Sequence, residues 1–65
     1  MMNNIQLNAT VSALVGAFPE LEIEKEDGGA NQGAPRILLR SRKTKQSILA
    51  TSPFEAGDAA RTLTR

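Results

Sequence analysis

Between Arg36 and Thr51 the chain reads RILLRSRKTKQSILAT, two short apolar runs on either side of a basic stretch. This is the pattern of a β-hairpin. With Arg42, Lys43, Thr44 and Lys45 as the loop, Ser41 faces Gln46, Leu39 faces Ile48 and Ile37 faces Ala50. Side chains alternate along a strand, so Ile37, Leu39, Ile48 and Ala50 share one side. The other side carries Arg36, Leu38, Arg40, Ser47, Leu49 and Thr51, with Arg42 and Lys45 at its tip. The turn contains neither Gly nor Asn, which favours a four-residue loop built on a type I turn over a two-residue primed turn.

Upstream, Glu20-Leu21-Glu22-Ile23-Glu24-Lys25-Glu26 alternates strictly, with Leu21 and Ile23 inward and glutamates outward, as in a half-buried strand. The first segment carries two periods at once. Ile5, Leu7, Ala9, Val11, Ala13 and Val15 alternate like a strand, while Leu7, Val11, Leu14 and Phe18 recur at helical spacing. Alanine content and Pro19, which pushes Phe18 out of helical geometry, favour a helix over Thr10 to Ala17, capped by Asn8 or Thr10. A strand over Ile5 to Ala9 is the competing reading, and residues 1–4 are expected to fray.

Ser52-Pro53-Phe54-Glu55 is the clearest helix start: serine at N-cap, proline at the first helical position, glutamate at the third. It predicts a capping box in which Ser52 accepts from the Glu55 amide and Glu55 reaches back to the Ser52 amide. Ala56, Ala59, Ala60 and Leu63 then form one apolar stripe. Gly57 inside this helix costs about 1 kcal/mol relative to alanine, and a close approach of backbones is its expected compensation.

Residues 27–35, DGGANQGAP, form a small, polar connection expected to be flexible. A phosphate-binding loop would need Lys and Ser or Thr where Ala34 and Pro35 stand, and a helix where a strand follows.

The elements add up to one α+β domain: a helix, a three-stranded antiparallel sheet and a second helix, with both helices on the apolar sheet face. This order, with Thr51-Ser52-Pro53-Phe54-Glu55-Ala56-Gly57-Asp58-Ala59-Ala60 in the place of the last strand end and second helix, resembles the double-stranded-RNA-binding fold. That family sets its RNA-binding lysines at the start of the second helix. Here the positions hold Pro53, Phe54, Glu55 and Gly57, so RNA binding does not carry over with the topology. The stretch from Lys45 to Leu63 also resembles the end of integrase arm-type DNA-binding domains, in which a three-stranded sheet enters a groove.

Composition narrows the choices. A 65-residue chain buries only about 60% of the surface it exposes when unfolded. It has two Phe and no Trp or Tyr, so the core is aliphatic and self-association is a natural supplement. The absence of Cys and His leaves out disulfides and ordinary zinc sites and favours a reducing, cytoplasmic setting. No apolar run approaches the roughly 20 residues of a membrane span, and the N-terminus has no signal-peptide pattern. No cofactor is implied.

The formal net charge of +1 hides two opposed blocks. Glu20, Glu22, Glu24, Glu26 and Asp27 face only Lys25 in one; Arg36, Arg40, Arg42, Lys43 and Lys45 meet no acid in the other. Cross-strand pairing can neutralise Arg36 and Arg40, each pair contributing roughly 0.2–1 kcal/mol. The turn residues are expected to extend past the first strand's reach. General acid–base chemistry near neutrality uses His or a carboxylate in a dry pocket, and the glutamates lie on a wet face, so the chain reads as non-enzymatic. The leading reading is a protein-interaction module that docks an acidic partner surface on Arg36, Leu38, Arg40, Arg42, Lys43, Lys45 and Leu49. In size and plainness it resembles the accessory and inhibitor proteins that phages and mobile elements encode. The alternative places the same cations on DNA or RNA phosphates; near-neutral charge, the acidic strand and the lack of stacking aromatics weigh against it.

Overall fold

The computed structural model describes residues 3–26 and 35–65. Its elements follow the order helix α1 (Asn4–Ala17), strands β1 (Leu21–Glu26), β2 (Arg36–Ser41) and β3 (Ser47–Ala50), and helix α2 (Pro53–Leu63). The strands form one antiparallel sheet in the order β1-β2-β3. Both helices pack on one face of it, α1 against β1 and β2, α2 against β3 and β2, and they touch each other. This is the expected α+β arrangement.

Helix α1 begins six residues before the expected Thr10, and the competing strand over Ile5 to Ala9 is not formed. The cause is a capping box that the sequence reading passed over. Asn3 has extended backbone, its side chain accepts from the Gln6 amide at 2.8 Å, and the Gln6 side chain accepts from the Asn3 amide at 3.1 Å. Two of the otherwise unpaired first-turn donors are thereby satisfied. Asn3 is the N-cap and Asn4 the first helical residue; Met1 and Met2 lie outside the described residues. Helical spacing wins the contest of periods because Leu7 and Leu14 are buried and Val11 and Phe18 pack beside them, whereas Ile5 and Val15 stay 79% and 53% exposed. The helix stops where Pro19 requires, with the Phe18 amide closing on the Leu14 carbonyl at 2.8 Å.

In the hairpin, Leu39 faces Ile48 and Ile37 faces Ala50, and the Ser41 amide donates to the Gln46 carbonyl at 2.8 Å. Four residues make the loop, as the spacing predicts. The Lys45 amide closes it on the Ser41 carbonyl at 2.9 Å, and Lys45 takes the left-handed conformation at φ 67°. Buried Ser41 holds the turn from within, its hydroxyl oxygen accepting from the amides of Lys43 and Thr44 at 3.3 and 3.2 Å.

Helix α2 starts at Ser52, whose Oγ accepts from the Glu55 amide at 3.1 Å. The return half of the expected box is different. The Glu55 carboxylate reaches one residue further, accepting from both the amide and the hydroxyl of Thr51. Ala56, Ala59, Ala60 and Leu63 are buried as predicted and close a core with Leu7, Leu14, Leu21, Ile37, Leu39 and Ala50. Gly57 does not mark a close backbone approach: a Cβ built there meets nothing within 4 Å. The flexible connection expected over 27–35 lies outside the described residues except for Pro35, which is half-buried.

No helix among the described residues is long and apolar enough to cross a membrane.

Candidate functional site: the outer face of the sheet

The face opposite the helices carries Glu22, Glu24 and Glu26 from β1, Arg36, Leu38 and Arg40 from β2, and Ser47 and Leu49 from β3. Pairing sets them in rows. Glu22, Arg40 and Ser47 form one row, and Glu24, Leu38 and Leu49 the next. Glu26 stands opposite Arg36 in a third. Alternation dictates this segregation: once Leu21, Ile37 and Leu39 point into the core, every second residue must point away. Lys25 is the exception to acid-out patterning. It shares the inner face with Leu21 and Ile23, and its Nζ escapes at the sheet edge to donate to Asn8 Oδ1 of α1 at 3.0 Å.

The seven residues picked from sequence divide into two sets. Arg36 and Arg42 are turned back onto β1. Arg36 Nη2 lies 3.3 Å from Glu26 Oε1, and Arg42 Nε lies 3.8 Å from Glu22 Oε1, with Arg42 Nη1 donating to the Pro19 carbonyl at 3.4 Å. The expectation that the turn outruns the first strand therefore fails for Arg42. Glu22 and Arg42 are diagonal neighbours across the ladder, a separation that long side chains span. Arg40, Lys43 and Lys45 are exposed and make no ion pair among the described residues. Leu38 is half-buried, and its cross-strand neighbour Leu49 is 45% exposed. The face is thus striped, not uniformly basic: an acidic edge, a central strand with one uncommitted guanidinium, and an apolar pair reaching the opposite edge.

Two features beside this face escaped the sequence reading. A shallow groove of about 250 Å³ runs between β3 and α2, lined by Ile48, Leu49, Glu55, Asp58, Ala59 and Thr62. The signal for it was present, since β3 (Ser-Ile-Leu-Ala) has no charged residue or proline to block its edge. Phe54 is 81% exposed, because it falls on the side of α2 opposite the alanine stripe. The Thr51 hydroxyl and then the Thr51 amide, both donating to Glu55, hold its carboxyl below the usual carboxylate range. Among the described residues no cluster of three or more acidic, His or Cys side chains has the arrangement of a metal site.

Comparison with models of known families, with curated proteins and with solved structures returns no match. The chemistry of this face is accordingly argued from its own residues.

Proposed function

We propose that the chain is a non-enzymatic interaction module, of an accessory or inhibitory kind, that docks an acidic protein surface on the outer face of its sheet. The observation that carries this reading is the Leu38–Leu49 pair, left uncovered by both helices, with the Arg40 guanidinium in the adjacent row and no acid paired to it among the described residues. Arginine is enriched among interface hot spots, and the leucine pair supplies the apolar, uncharged area that the core of an interface has. Lys43 and Lys45 at the turn add long-range attraction that steers an acidic partner. Arg36 and Arg42 are turned onto the glutamates of β1 and contribute less to docking.

The test is a photo-crosslinker at Ser47, beside Arg40, in the full chain, with Arg40→Glu and a Lys43→Glu/Lys45→Glu double variant as controls. Far-ultraviolet circular dichroism confirms that each variant is folded. A discrete protein captured by the parent chain and lost with both variants supports the reading. Parallel titrations with mixed DNA and RNA at two salt concentrations supply the opposing outcome. Phosphate contacts make affinity fall steeply with salt, so binding of that kind, abolished by the lysine variant, would assign the face to nucleic acid.

A further inference from the structure

The two edges of the sheet differ in their defences. On β1 the outer positions are glutamates, and Lys25 is a charge pointing inward beneath the edge, both devices that discourage strand addition. Edge strand β3 has neither. It is short and uncharged, and the groove beneath its free side is open.

Its hydrogen-bonding parity can be worked out. The Ser41 amide bonds to the Gln46 carbonyl, so Ser41 and Gln46 form a hydrogen-bonded pair. Pairs alternate along an antiparallel ladder. Leu39↔Ile48 and Ile37↔Ala50 are therefore hydrogen-bonded, while Arg40↔Ser47 and Leu38↔Leu49 are not. The amides and carbonyls of Ser47 and Leu49 then point away from β2, to the open edge.

We infer that this edge pairs with a second copy of the chain: two β3 strands run antiparallel about a two-fold axis at Leu49, giving a six-stranded sheet. Parity restricts which residues can face each other across the axis, and the side chains choose among the registers it allows. With Leu49 facing Leu49 of the other copy, the two residues exchange both hydrogen bonds, and the Ser47 amide reaches the Thr51 carbonyl across the axis. The Thr51 amide, already donating to Glu55 Oε1 at 2.9 Å, needs no partner there. Centring the axis on Ile48 also satisfies parity, with Ser47 and Leu49 exchanging bonds, but it sets Leu49 opposite Ser47 and breaks the apolar row. Side chains agree with the register. Leu38, Leu49 and their two-fold mates become one unbroken apolar row, with Glu24 of each copy at its far ends. Ser47 and Thr51, both uncharged, meet in the row beside it. The like-charge cost comes from Asp58, on the α2 wall of the groove, and added salt screens it; Glu55 on the same wall is held by Thr51. An isologous two-fold contact of this kind closes at a dimer. It also supplements a core that has no aromatic residue among its fully buried members. The pairing does not depend on the docking reading, because it uses the backbone edge and is measured on the purified chain alone.

The experiment has two arms. The chain has no cysteine, so Leu49→Cys and Glu24→Cys introduce single thiols on opposite edges. A hydrogen-bonded antiparallel pair sets its Cα atoms about 5.5 Å apart, within disulfide range. Under mild oxidation Leu49→Cys is expected to cross-link at least tenfold faster than Glu24→Cys. In sedimentation, the cysteine-free chain is expected to show a concentration-dependent species of twice 7.0 kDa, and Leu49→Pro is expected to remain monomeric. Proline at that edge position removes an amide that bonds nothing within the monomer, so the fold is retained. A parent chain that stays monomeric at millimolar concentration, a dimer that survives Leu49→Pro, or equal cross-linking at the two edges would overturn the inference.

Discussion

Glu22 stands directly opposite Arg40 in the β1–β2 ladder, yet its carboxylate pairs with Arg42, two residues further on, at 3.8 Å. The exchange leaves Arg40 without an ion pair among the described residues, whereas Arg36 and Arg42 are each paired to a glutamate of β1. Both members of the Glu22–Arg42 pair are about half exposed, and exposed ion pairs contribute roughly 0–1 kcal/mol. A double-mutant cycle with Glu22→Gln and Arg42→Gln is expected to give a coupling energy below about 1 kcal/mol that shrinks with added salt. Urea melts at low and high ionic strength measure it; a larger, salt-independent coupling would mean that the pair is part of the fold's foundation.

Gly57→Ala is expected to stabilise the chain. The site is inside α2, and an added Cβ meets no neighbour within 4 Å, so only the backbone terms remain. Helix propensity and unfolded-state entropy together favour alanine by about 1 kcal/mol, which in a domain of this size raises Tm by roughly 4–8 °C. A thermal melt decides it. Destabilisation would show that space at Gly57 is needed after all.

Lys45 closes the hairpin with a left-handed backbone, a conformation that costs an ordinary L residue roughly 1–2 kcal/mol. Glycine removes that cost while loosening the unfolded chain by about 0.4–1 kcal/mol. Lys45→Gly is therefore expected to be neutral to mildly stabilising in chemical denaturation, with the hairpin amide shifts in NMR retained. Loss of the turn resonances would contradict this account of the loop.

Glu55 gives the stability a pH dependence of known sign. Thr51 lowers its carboxyl in the folded state, whereas the unfolded chain has the ordinary value. A depressed folded pKa stabilises the native state above the unfolded pKa, and that contribution is lost as pH falls through the folded value. Acid melts of the parent and Glu55→Gln chains are expected to converge as pH drops from about 5 toward 3. Side-chain carboxyl NMR is expected to place Glu55 below the ordinary glutamate value, and Thr51→Val to move it upward. An inflection at the ordinary glutamate value would remove the effect.

The hairpin, its register, the acidic strand and the Ser52 cap were all legible in the sequence because each is encoded within a few residues. A period of two tells which side chains share a face, and a cap is a contact between neighbours three positions apart. The Asn3–Gln6 box was just as local, but the first segment carried two periods. What settled it was burial of Leu7 and Leu14 against the sheet, a fact about packing.

Tertiary structure alone decided which guanidinium meets which carboxylate, since alternation specifies a face but not the diagonal reach of a long side chain across it. It also decided that Gly57 opens on unoccupied space and that β3 is left as the undefended edge. Local pattern determined the elements and their inner faces. The surface available to a partner emerged only when those elements were set side by side, because exposure is a property of neighbours distant along the chain.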